Sequence, residues 1–382
     1  REGPMDYEKL HHDVAFGRAV GRIIWQPRIE CWYDDRRFAG EPFPDELEGL
    51  TRPEIYRRLG CSARTYSGYN RCFEQVLDPG MNRERIQLSE TEWEIRTATP
   101  IGTVSERFHS TPSSWASKRD SWPVNNVEEL RIMGWIQEHT DWRFRSDLYE
   151  QAHAEWGDLG APTIFMPRVN VQHLYIDIMG VEHGIYMLYD NPLEVERYFQ
   201  ILHENHLRLI DVIAESPVDI VNFGDNVHAG TLSPALFTRY VLPVYQDRSE
   251  RMHRSGKFVH AHWDGDTGPL LRYARETGLD GIEAITPRPQ GDVELEKVKE
   301  ALGDMYLIDG IAAILFDPLY TLEELLAQAE KVIELFAPNL ILGISDEISS
   351  TGDINRIRDV GKLVAEYNAG RAAGGSSTEG SI

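Results

Sequence analysis

From residue 217 onward the chain repeats one unit, a short apolar run followed by a longer amphipathic stretch. The runs fall at 219–223, 257–262, 281–285, 305–308 and 339–343, and helical patterns follow over 233–254, 268–277, 293–301, 321–336 and 353–367. Such alternation makes parallel βα units, whose strands are covered on both faces and therefore read as continuous apolar segments. Two helix starts carry their own signals. Pro234 follows Ser233 at the first helical position, and Thr321 with Glu324 forms a capping box. Residues 163–167 and 22–25 bring the expected strands to seven, and an eighth is not legible. No glycine-rich phosphate turn follows any strand, so a closed (β/α)8 TIM-type barrel fits better than an open doubly wound sheet.

Residues 40–160 break the alternation. They hold an expected hairpin over 92–108, turning at Pro100-Ile101-Gly102, and loops rich in tryptophan. We read this stretch as an elaboration covering one barrel end, inside a single barrel domain spanning 21–368. Residues 1–20 read as an N-terminal extension, and 369–382, rich in Gly and Ser, as a disordered tail. The 62 acidic and 39 basic side chains give a formal charge of −23, which sets aside nucleic acid and anionic membranes as partners. No apolar run is long enough to span a bilayer. Cys31, Cys61 and Cys72 are odd in number and include no CxxC pair. They fit free thiols in the cytoplasm, and any metal site must then use His and carboxylates.

In a barrel the chemistry sits at the carboxyl ends of the strands. Five successive ends carry titratable groups here: Asp225 and His228; His260, His262, Asp264 and Asp266; Glu283; Asp309; and Asp346 with Glu347. His260 and His262 are two apart, so on a strand their imidazoles share a face. Two imidazoles and one carboxylate make a zinc site with an open position. Spacing alone leaves other readings for each: a core or loop histidine, a loop-capping Asp225, a Glu283 filling the barrel interior, a solvated Asp346–Glu347 pair. Trp263 reads as a packing residue.

The block 219–265, DIVNFGDNVHAGTLSPALFTRYVLPVYQ and then GKFVHAHWDG, resembles the uroporphyrinogen decarboxylase superfamily. It has that family's Gly-Asp loop, Ser-Pro-x-x-Phe helix start and His-bearing strand. GLDGIEAITPRPQGDVELEKVKEALGD and LGISDEISSTGDINRIRDV follow in the family's order, and the resemblance extends over about 20–368. It implies a TIM-type barrel and one of two activities, tetrapyrrole decarboxylation or zinc-dependent methyl transfer with corrinoid proteins. The decarboxylases grip propionates with an Arg-rich segment. The matching place, 24–30, keeps Arg28 alone, near Glu30, Asp34 and Asp35, so the methyltransferase branch is expected.

That branch holds zinc with one His and two Cys. His260 matches the His, His262 stands at the first Cys, and the second falls within 345–347. The resemblance thus makes His260, His262 and Glu347 the expected zinc ligands, with Asp346 taking the place of Glu347 if the last strand runs longer. Asp225 and Glu283 would orient ligands or substrate. Two imidazoles and a carboxylate leave zinc with net positive charge, which suits polarisation of an oxygen leaving group. The expected reaction is demethylation of a methoxylated small molecule onto the corrinoid (cobalamin) of a partner protein, or methyl transfer to a thiol in the other direction. The alternatives are a cofactor-free decarboxylase and a non-catalytic binder of a tetrapyrrole or corrinoid.

Overall fold

The computed structural model describes residues 5–375 apart from Ser113, with side chains as far as Arg371. Its main sheet has seven strands: β1 (Ile24–Trp25), β2 (Thr163–Met166), β3 (Ile220–Phe223), β4 (Phe258–His262), β5 (Gly281–Glu283), β6 (Tyr306–Ala312) and β7 (Leu340–Ser345). They lie in the order β1-β7-β6-β5-β4-β3-β2, and every neighbouring pair is parallel. Chain order is therefore spatial order, and β1 returns beside β7. All residues of β3, β4, β5 and β7 are buried, as helices outside and an interior layer inside require. The predicted caps form. Ser233 accepts from the Leu236 amide at 3.3 Å, and Thr321 and Glu324 close their capping box.

The expected closed eight-stranded barrel is not what the ladders show. Among the described residues the parallel sheet has seven strands, and residues 62–65 cross between its edges. The Ser62 amide donates to the β1 residue Trp25 at 3.1 Å, and the Ala63 amide to Leu159 at 2.9 Å. The Thr163 amide at the start of β2 donates to the Thr65 hydroxyl at 3.1 Å. The segment turns its amides to different neighbours and uses a side chain for one link, so it bridges the edges without forming a ladder strand. This places part of the expected elaboration between the two edge strands.

The strands' amino ends are closed by α1 (Tyr7–Ala15), within the expected extension. Its Leu10 and Val14 pack on Ile24, Ile308 and Ile341, and Ala15 packs beside Ile220 and Phe258. The elaboration itself is a four-stranded antiparallel meander over 82–121, a two-stranded ribbon of Phe73–Leu77 with Thr140–Phe144, and helices. The expected hairpin is there, as Glu92–Thr99 and Gly102–Thr111. The meander's last strand reaches α2 (Glu30–Ala39), which follows β1: the Ser114 hydroxyl donates to Asp35 at 2.9 Å. The final helix, Asn355–Gly375, runs into the segment expected as a tail, whose residues 376–382 lie outside the described residues. No helix among the described residues is long and apolar enough to cross a membrane.

Candidate active site

The register of β4 and β5 creates the centre. His262 lies opposite Glu283, and His260 opposite Asn222 of β3. Period-two geometry turns both imidazoles inward. Their Nδ1 atoms address one carboxylate: His260 is 3.3 Å from Glu283 Oε2, and His262 is 3.8 Å from Glu283 Oε1. The Asn222 side-chain amide also donates to Glu283. The imidazoles are almost wholly buried, and Glu283 and Asn222 are fully so.

A buried acid inside an apolar sheet needs a cation, and Arg64 supplies it from the bridging segment. Its guanidinium donates to both Glu283 and Asp309, and its Nε donates to Gln26 at 2.6 Å. Arg64 and both acids are out of solvent. Asp309 sits within β6 at φ +83°, a strained value for a residue with a side chain. Gly343 of β7 makes room for it, since a Cβ there would lie 2.2 Å from Asp309 Oδ1 and 3.2 Å from Arg64.

These contacts separate the protonation states of neighbouring groups. Burial disfavours the charged Glu283, but Arg64 and the two imidazoles outweigh it and hold the carboxyl well below its usual range. Burial also opposes a charged His262, yet Glu283, Asp346 and Asp264 lift it to about 9. His260 is shifted down by burial and by the positive charges of Arg64 and His262. Burial pushes Asp309 up to about 7 against the pull of Arg64. The shifts favour an imidazolium at His262 beside a neutral imidazole at His260 at neutral pH.

The expected zinc ligands do not come together. His262 Nε2 points to the mouth, where Asp346 Oδ1 lies 3.9 Å away. Glu347 is turned aside: its Oε2 accepts from the Cys31 amide at 2.7 Å, and its Oε1 lies 3.6 Å from Arg28. β7 runs to Ser345, so Asp346 and not Glu347 occupies the position facing His262. His260 and His262 turn their Nδ1 atoms toward Glu283 at 3.3 and 3.8 Å, and neither Nδ1 makes a hydrogen bond. Among the described residues no three His, Cys, Asp or Glu side chains are grouped to hold a metal ion. The donor set therefore does not fit zinc as expected from the sequence.

Asp225 is also apart from the imidazoles. Its two oxygens accept from the Val169 amide at 2.7 Å and the Tyr245 hydroxyl at 2.6 Å, so it ties the loop after β2 to the helix Leu242–Arg254. His228 bonds to Thr231 at 3.1 Å, and Trp263 is buried against Phe237. Arg28 is held by Asp346, Glu347 and Glu30, which leaves no free cation there for a polycarboxylate. Arg64, Asn222 and Gln26 were missed by sequence reasoning. The signal for Arg64 was indirect: Glu283 and Asp309 within apolar strands call for a buried cation.

The curled parallel sheet carries an imidazole–carboxylate–guanidinium cluster at its carboxyl ends, the place where barrel folds hold their sites. The family model for uroporphyrinogen decarboxylase (URO-D) matches residues 174–367, just over half of the chain, and the protein belongs to that family. No curated protein matches the sequence. Among solved structures, a methyltransferase from Methanosarcina mazei is similar at TM-score 0.55 and 14% identity, over 93% of this chain and 97% of that one. A type I 3-dehydroquinate dehydratase from Clostridium difficile is more distant, at TM-score 0.30 and 14% identity over 64% and 76% of the two chains.

Proposed function

We propose that this protein is a methyltransferase that demethylates a methoxylated small molecule, with a partner protein's corrinoid as methyl acceptor. Family membership and the shape it shares with the M. mazei methyltransferase support the reading. The observation that carries it is His262, a buried imidazole with Glu283 3.8 Å from its Nδ1 and Asp346, at the mouth, 3.9 Å from its Nε2. On this reading the curled sheet works as a (β/α)8-type barrel, with its active site at the strands' carboxyl ends.

The corrinoid, as acceptor substrate, supplies the electron pair that takes the methyl carbon. The oxygen departs with the electrons of the broken carbon–oxygen bond and takes a proton from His262 Nε2. The Glu283 carboxylate, 3.8 Å from Nδ1, favours the charged form of His262, and Arg64 favours an ionised Glu283. A positioned general acid of this kind contributes roughly 10²–10⁴ in rate. Asp346, partly exposed at the mouth, is placed to return the proton from solvent. No step runs through zinc, because the expected ligands do not converge. The three free cysteines suit a reducing compartment, and we place the enzyme in the cytoplasm.

The test offers isotope-labelled methyl ethers with cob(I)alamin and follows label on the corrinoid. Transfer by wild type and its loss in His262→Gln support the proposal. Carbon dioxide release from carboxylated substrates, without methyl transfer in either direction, would assign the site to decarboxylation instead.

A further inference from the structure

Two buried residues tie the centre to the far end of the sheet. His11 lies in α1, the helix that closes the strands' amino ends, and Gln26 directly follows β1. Gln26 is fully buried and His11 almost so. Gln26 Nε2 lies 3.2 Å from His11 Nδ1 and 3.0 Å from the Ser62 hydroxyl, while its Oε1 accepts from Arg64 Nε at 2.6 Å. Arg64 then reaches Glu283 and Asp309 with its two other nitrogens. A line of buried polar groups thus runs from α1 to the carboxylates beside His262. α1 is itself held in place: Leu10 and Val14 pack on Ile24, Ile308 and Ile341, and the Tyr306 hydroxyl donates to the Val14 carbonyl at 2.8 Å.

Donors and acceptors along this line admit one arrangement. Every nitrogen of Arg64 is a donor, so the Gln26 atom facing it is the amide oxygen. The Ser62 hydroxyl gives its single hydrogen to the Leu159 carbonyl at 2.6 Å, so toward Gln26 it accepts. Both amide hydrogens of Gln26 are then directed at Ser62 and His11, and His11 Nδ1 must present a lone pair. His11 is therefore neutral, with its hydrogen on Nε2. Burial, with Arg64, His260 and His12 nearby, agrees by holding this imidazole down at about 3. A hydrogen on Nδ1 would instead favour the flipped amide, which turns a donor toward Arg64 Nε.

Resting on the reading that Arg64 and Glu283 serve the chemistry at His262, we propose that His11 and Gln26 are positioning residues of the centre. The acceptor nitrogen of His11 sets which way the Gln26 amide faces, and the amide oxygen holds the Arg64 guanidinium in register with Glu283 and Asp309. Arg64 needs such a hold because its segment forms no ladder, so side-chain partners decide where the guanidinium points. α1 is then a working part of the site as well as a cover over the strands' amino ends.

The test is NMR of the intact protein with isotope-labelled nitrogen in its histidine and arginine side chains, and it needs no turnover. In wild type, His11 should show an unprotonated Nδ1 and a protonated Nε2 between about pH 5 and pH 8. The Arg64 Nε hydrogen, assigned by its loss in Arg64→Met, should exchange slowly with solvent. His11→Phe keeps a ring and removes the acceptor, and should speed that exchange by about tenfold or more while the backbone amides of β1 and β6 keep theirs. His11→Asn returns an acceptor to the place of Nδ1 and should restore slow exchange. A protonated Nδ1 of His11 in wild type, which needs no variant to fold, overturns the proposal. So does an Arg64 Nε hydrogen that exchanges equally slowly in His11→Phe, or a His11→Asn protein that behaves like His11→Phe. Slow exchange that depends on His11, in a protein that transfers no methyl group, would defeat the proposed reaction and leave this inference standing.

Discussion

Replacing Arg64 by Met removes the one cation shared by two buried carboxylates. Both partners are inaccessible to solvent, so water cannot screen what remains. Breaking a buried pair by removing one member costs about 3–5 kcal/mol. Glu283 keeps its imidazoles, so most of the penalty falls on Asp309, which burial already pushes up to about 7. The sign with pH follows. Glu283 is depressed in the folded state, so its contribution is present above the unfolded carboxyl value of about 4.3, and Arg64→Met loses part of it. Asp309, raised further in the variant, binds a proton more readily folded than unfolded, so the variant gains stability as pH falls. Urea midpoints at pH 8 and pH 5 should therefore show a large gap that narrows on acidification. A variant within about 1 kcal/mol of wild type at pH 8, or a gap that widens at pH 5, would refute the reasoning.

His262, lifted to about 9, contributes stability that is fully present below its unfolded value of about 6.5 and is lost as pH rises through 9. Thermal melts of wild type should fall between pH 7 and 9.5, and His262→Gln should lack that slope. Gly343→Ala would set a Cβ against Asp309 and should cost about 1–3 kcal/mol, with a loss of methyl transfer larger than the loss of folded protein. Glu347→Gln should leave the turnover number within about threefold, since the residue anchors Cys31 and Arg28, whereas Asp346→Asn should lower it by about tenfold or more through His262. Steady-state rates on the same methyl ether compare the two.

The sheet was legible because parallel strands buried on both faces leave apolar runs with nothing else to explain them. All seven expected strands are present, and β6 and β7 extend two to four residues beyond the apolar runs, through Asp309-Gly310 and Ile344-Ser345. The bridging segment was not legible: residues 62–65, Ser-Ala-Arg-Thr, make a short run with three polar residues, buried through bonds to Trp25, Leu159, Glu283, Asp309 and Ala161. His260 and His262 were found from a two-residue period, which backbone geometry enforces. Their partners were not, since Arg64 lies 219 residues from Glu283 and 245 from Asp309 along the chain. Glu347 was expected over Asp346 for a shorter last strand. The extra residues of β7 move both positions, and Asp346 reaches the mouth while Glu347 meets α2. Asp225 drew attention as an acid at a strand end, yet Tyr245 and the Val169 amide already engage both its oxygens.

The central claim is that a protonated His262, held by Glu283 and Arg64, releases the oxygen of a methyl ether. Its most direct measurement is the single-turnover rate of methyl transfer from an isotope-labelled methyl ether to cob(I)alamin, in chelator-treated wild type, in the same protein resupplied with zinc, and in His262→Gln. The account predicts equal rates for both wild-type preparations, a decline as pH passes about 9, and a loss of roughly 10²-fold or more in His262→Gln. Activity that vanishes with chelation and returns in proportion to added zinc would contradict it.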